Sequence, residues 1–133
     1  MLIKWDEINS VNVRELDEEH KVLVSIINRL DDLRDGHDTV GVTSLLKELK
    51  RYAAFHFAAE EKYFALYNYP AKAAHETQHA VYKEKIDQFE KRYAAGEVAT
   101  VNEMLAFLRN WWLMHINHSD VQYSDFFNDH GLF

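Results

Sequence analysis

The sequence predicts an all-α protein, an up-down-up-down four-helix bundle with an N-terminal arm and a short C-terminal segment. Two observations carry that prediction. Apolar residues recur at spacings of three and four through four successive blocks, which puts them on one face of a helix turning about 100° per residue. The four glycines and the single proline punctuate the blocks, so the connections are short and neighbouring helices run antiparallel.

Residues 1 to 16 are expected to form the arm. The first helix follows, with Leu16, His20, Leu23, Ile27 and Leu30 along one stripe. Gly36 and Gly41 bracket a polar turn, and the second helix is expected from Thr43 to Leu66, carrying Leu45, Leu49, Tyr52, His56, Glu60 and Tyr63. Asn68, Tyr69 and Pro70 end it, with Pro70 suited to the first position of the third helix, where its missing N–H costs little. That helix shows the stripe His75, His79, Tyr82, Ile86, Phe89 and Tyr93, and Gly96 stops it. Thr100 and Glu103 have the form of a capping box that opens a fourth helix carrying Leu105, Leu108, Trp111, Trp112 and His115.

These stripes contain residues that a core does not tolerate without partners. Burying an unpaired carboxylate is costly, and a buried imidazole still needs hydrogen bonds. His56 with Glu60, and His75 with His79, are four apart and face the same way, one turn apart. His20 lies early in an outgoing helix and His115 late in a returning one, so antiparallel order brings all of them to one end of the bundle. Asp120 follows His115 by five residues, about 140° around an ideal helix, and joins them only if the last helix ends or distorts near Asn117 to Ser119. If Asp120 fails, His118 is the natural substitute. His37, His118 and His130 lie outside the pattern and are expected to face solvent, and Tyr52, Tyr63, Tyr82 and Tyr93 to be core residues with hydrogen-bonded hydroxyls.

A metal supplies the missing partner. Five imidazoles, two bridging carboxylates and a bridging hydroxide fill all but one of the positions around two octahedral metals, and the open one suits a small ligand such as O2. Imidazole-rich ligation suits iron, copper, nickel or zinc, and two carboxylate bridges favour iron. With no cysteine, disulfides, thiolate nucleophiles, iron–sulfur clusters and Cys-type zinc sites are excluded. Fifteen basic against 22 acidic residues, a formal charge of -7, argue against nucleic acid and anionic membranes as partners. The first residues carry Lys4, Asp6 and Glu7 where a signal peptide needs an apolar run, so a cytoplasmic protein is expected. At 133 residues, 47% hydrophobic, the chain is expected to form one domain over 1–133.

Four stretches carry a resemblance: WDEINSVNVRELDEEH (Trp5 to His20), HFAAEE (His56 to Glu61), the NYP turn with HETQH (Asn68 to His79), and WWLMHINHSD followed by Tyr123. Together they make the chain similar, over nearly its full length, to the hemerythrins, of the single-domain bacterial kind. The resemblance implies a nonhaem di-iron centre that binds O2 reversibly, in a binding protein and not an enzyme. His75, His79 and His115 would hold one iron and His20 and His56 the other, with Glu60, Asp120 and a hydroxide or oxide bridging. O2 would bind at the iron held by His20 and His56. Trp112 stands where the family commonly has a Leu lining the oxygen pocket, so a bulkier wall that narrows or gates access is expected. The competing reading turns Trp112 outward onto a neighbouring helix.

The resemblance leaves delivery, storage or scavenging of O2, and sensing of O2, redox state or nitric oxide, as roles for one centre. A sensor would need a separate output protein; a carrier would act as a monomer, with an unidentified redox or oxidase partner. A di-iron oxidase is disfavoured, because such bundles use paired Glu-x-x-His motifs and more carboxylates. Here Glu76 and His79 form one such pair, and Asp17 precedes His20 at the second.

Overall fold

In the computed structural model, which describes residues 1–133, the four expected helices are α1 (Arg14–Asp31), α2 (Thr39–Tyr67), α3 (Lys72–Ala94) and α4 (Thr100–Trp111). Each packs against the next in sequence, and α4 returns to α1, closing the bundle. Beyond α4 the chain continues through a π-helical segment (Trp112–Asp120), a 3-10 turn (Val121–Tyr123) and the short α5 (Ser124–Asp129). No helix is long and apolar enough to cross a membrane.

The expected stripes are the buried faces, except that Tyr63 of α2 is only half-buried, its hydroxyl drawn outward to Glu15. In α3 the buried residues are His75, His79, Tyr82, Ile86, Phe89 and Tyr93, the full predicted set. The boundaries differ where local hydrogen bonding outweighs pattern. The arm contains a 3-10 turn (Glu7–Asn9), with Asp6 accepting from the Ile8 N–H at 3.1 Å. It meets α1 earlier than expected because Asp17, in the first turn of α1, accepts from the Val11 N–H at 2.8 Å.

Helix α2 starts at Thr39 instead of Thr43. Asp38 caps it by accepting from the Gly41 N–H at 2.9 Å, so Gly41 lies inside the first turn. At its other end Asn68 adopts the left-handed conformation, φ 55°, and the Tyr69 N–H reaches back to Phe64 O at 2.9 Å. Pro70 stays in the turn, two residues before α3 begins.

The expected capping box at α4 does not form. Thr100 is already helical with its hydroxyl buried and unpartnered, and Glu103 is drawn away to Arg92. At that end of the bundle Gly36 has φ +77°, and a Cβ there would come within 2.3 Å of Val98 O. Its carbonyl accepts from Tyr93 OH at 2.7 Å, tying the α1–α2 turn to α3.

Two apolar clusters result. A large one fills most of the bundle, from Ile3 and Leu23 through Tyr93 to Trp112 and Ile116. A small one, Val11, Val13, Leu16, Phe64, Tyr69, Tyr123 and Phe127, caps the end where the arm and α5 meet. The polar residues singled out from the sequence lie between them: Phe57 of the large cluster stacks on His79 at 3.8 Å between centroids, and Phe64 of the cap meets His75 at 4.9 Å.

Candidate metal centre

His20, His56, Glu60, His75, His79, His115 and Asp120 are all buried, none more than 3% exposed. They form two overlapping groups whose nitrogen and oxygen atoms lie within 4.8 Å of one another: Glu60, His75, His79 and His115, and His20, His56, Glu60 and Asp120. Glu60 belongs to both. Asp120 also reaches across, its Oδ2 2.9 Å from His20 Nε2 and its Oδ1 2.8 Å from His75 Nε2 and 3.0 Å from His115 Nε2.

Those short distances are not hydrogen bonds. Glu60 Oε1, the Nε2 atoms of His75, His79 and His115, and both Asp120 oxygens are buried without a partner of acceptable geometry. His79 Nε2, for instance, is 2.9 Å from Glu60 Oε1, yet neither atom is satisfied. Nitrogen and oxygen therefore converge as donors do around a shared cation, and an unpaired set of this kind would otherwise be expensive to bury. Imidazoles and carboxylates in this ratio suit iron among the first-row metals. The residues fit a metal centre.

The far nitrogens show how the rings are aimed. His56 Nδ1 donates to Glu19 Oε1 at 2.7 Å, His79 Nδ1 to Glu61 Oε2 at 2.9 Å, and His115 Nδ1 to Gln78 Oε1. With Nδ1 holding the proton, each Nε2 turns its lone pair into the centre. The partners follow a rule: α1 serves the histidine of α2, α2 that of α3, and α3 that of the π-helical segment. Each partner is the sequence neighbour of a centre residue on its own helix, about 100° round and so facing the adjacent helix. The sequence marks them only by this adjacency. Tyr123 completes the set by donating its hydroxyl to Glu60 Oε2.

Asp120 arrives through the π-helical segment. An i→i+5 helix brings residues five apart onto one face, and such bulges are frequent at functional sites. Here they align His115 with Asp120. Asn117 Nδ2 donates to Trp112 O, five residues back, at 2.9 Å, while Asn117 Oδ1 accepts from Asn9 of the arm at 2.7 Å. The expected distortion thus begins at Trp112, earlier than Asn117.

Electrostatics describe the same demand for positive charge. Burial works to raise the Glu60 pKa, but His56, His75 and His79 hold it well below the usual carboxylate range. Burial and Glu60 push Asp120 up, and His115 and His20 outweigh them, keeping it ionised. Burial lowers the His56 pKa, and Glu60 with Glu19 overcomes this, carrying it up to about 10. His75 is likewise raised to about 9 by Asp120 and Glu60 against burial. His115 is lowered, burial prevailing. Two ionised carboxylates recruit protons onto their neighbours, a role that a multivalent cation fills better.

His118, His37 and His130 are exposed, as expected. Tyr82 OH donates to Leu49 O at 3.2 Å, but Tyr52 OH, expected to be bonded, has no partner; its ring stacks on His56 at 5.2 Å. Trp111 stacks on His115 at 3.9 Å. Trp112 is buried in the large cluster and does not turn outward; Trp5 of the arm meets it edge to face at 6.1 Å.

A family profile described as Hemerythrin HHE cation binding domain matches residues 11–124. Among curated relatives, a Hemerythrin-like protein of Naegleria gruberi is 34% identical, over 90% of this chain and 88% of its own length. A Bacteriohemerythrin of Pseudomonas aeruginosa is 28% identical, over 91% of this chain and 78% of its own. Among solved structures, a wild-type hemerythrin crystal structure superposes with a TM-score of 0.86 at 26% identity, covering 94% of this chain and 97% of that one.

Proposed function

The chain belongs to the hemerythrin family of non-enzymatic oxygen-binding proteins, and from that premise we propose that it carries, stores or delivers O2 by binding it reversibly at a nonhaem di-iron centre. The observation that carries this reading is the pair of buried, overlapping donor groups that share Glu60. His75, His79 and His115 would hold one iron, His20 and His56 the other, with Glu60, Asp120 and a hydroxide or oxide between them. When bound, the irons would supply the reversible electron transfer that such binding needs.

The remaining work belongs to the chain. Glu19, Glu61 and Gln78 fix the imidazole tautomers and make the rings better donors. Tyr123 holds Glu60 by one oxygen. Phe57, Phe64 and Trp111 pack against the imidazoles and keep water out, which favours release of the ligand as O2. Trp112 forms the pocket wall and, braced by Trp5, narrows access to it. In this reading residues 1–133 are one domain, a cytoplasmic monomer with an unidentified redox or oxidase partner.

The test combines metal analysis with spectra of dithionite-reduced protein before and after exposure to air. About two irons per chain, with a visible band that appears in air and vanishes on degassing, are expected. Colour that decays irreversibly within seconds would replace the carrier reading with an oxidase.

A further inference from the structure

Outside the metal centre, a groove of about 580 Å³ runs along the bundle surface between α1 and α2. Val22, Ile26, Tyr52 and Phe55 give it an apolar lining, with Val22 and Phe55 exposed to solvent. Two polar side chains are buried in its wall: Glu19, 8% exposed, and Tyr52, 6% exposed. Each has an atom without a hydrogen-bond partner, Glu19 Oε2 and Tyr52 OH. Such atoms are costly to bury unsatisfied, so they ask for a ligand donor.

The charges around the groove select that donor. Glu48 is held by Arg29 at 2.8 Å and Glu18 by Lys21 at 3.0 Å, and Arg51 contributes a further positive charge at the rim. Glu15 takes only the hydroxyl of Tyr63, and Glu19 only the ring of His56. Neither has a Lys or Arg partner, so the wall of the groove that carries Glu15 and Glu19 is acidic.

We propose that this groove is an effector site for a primary ammonium ion carried on a short apolar body. The ammonium donates to Glu19 Oε2, and the apolar body lies over Val22, Ile26, Phe55 and the ring of Tyr52. Because Glu19 Oε1 is the acceptor for His56 Nδ1–H, an ammonium on the other oxygen draws the carboxylate away from that ring and weakens its donor strength. The binding half stands on the groove alone; the coupling half rests on the ligand role proposed for His56.

Titrating the oxidised, iron-loaded protein with hexylammonium, by calorimetry and visible absorption together, tests both halves. Saturable binding with a shift of the visible band is expected, while hexanoate gives neither. Glu19→Gln and, independently, Val22→Lys at an exposed position each weaken binding by about tenfold or more. Absence of binding, equal binding of hexanol, or undiminished binding to Val22→Lys would overturn the site. Binding without a spectral shift would overturn the coupling and leave the reading of the iron centre untouched.

Discussion

Asp120 Oδ1 lies 3.0 Å from His115 Nε2, although five residues separate the two in the chain. An α-helix would turn Asp120 about 140° away. The π-helical segment from Trp112 removes that offset, and the centre depends on it.

The isosteric change Asp120→Asn keeps the packing and removes one of the two buried negative charges. Iron content is expected to fall below about one ion per chain, with helix content by circular dichroism unchanged. Retention of the full iron complement would remove Asp120 from the ligand set.

Asn117 holds the segment from two sides, through Trp112 O and Asn9. Asn117→Ala is expected to cost about 1–3 kcal/mol, since it removes two side-chain hydrogen bonds, one to the Trp112 carbonyl and one from the arm. Chemical denaturation of wild type and variant checks this, and equal midpoints would show that the segment stands without the tie.

Gln78 accepts from His115 Nδ1, and a Leu there would leave that ring free to turn. Gln78→Leu should weaken iron retention against a chelator by about 10–100-fold in affinity, the range for loss of a partner to a metal-bound histidine. A stability loss with unchanged iron retention would make Gln78 a packing residue only.

Trp112 is wedged between the core and Trp5. If it narrows the pocket, Trp112→Leu speeds azide binding to the oxidised centre by roughly tenfold, a barrier change of about 1.4 kcal/mol. Trp5→Ala, which removes the brace, should move the rate in the same direction. Stopped-flow rates unchanged in both would take Trp112 out of the access path.

Removing iron leaves Glu60 and Asp120 buried with only imidazoles to balance them. The melting temperature of the iron-free protein should drop and recover on adding Fe(II) anaerobically. An iron-free form that melts at the same temperature would mean that the donors gain nothing from a cation.

Much of this was legible in the chain because helical period and ligand spacing are the same arithmetic. His56 and Glu60, or His75 and His79, need only a helix to face one way. Asp120 shows the limit: its five-residue offset signalled a distortion, but no Gly or Pro marks Trp112 as the start. The caps were harder. Asp38 beats the breaker reading of Gly41 by bonding its N–H, and Glu103 abandons Thr100 for Arg92, a choice made by a neighbouring helix. Glu19, Glu61 and Gln78 were missed for the same reason. Each acts on a different helix from its own, and no spacing within one helix encodes that.

The hand-over of orienting bonds from one helix to the next also orders events during synthesis. A nascent chain that has folded only its first helical hairpin owns the Glu19–His56 pair but lacks the acceptor's later counterparts. Asp120 and Tyr123 leave the ribosome after every other member of the centre. The two donor groups are therefore complete only once the bundle has closed.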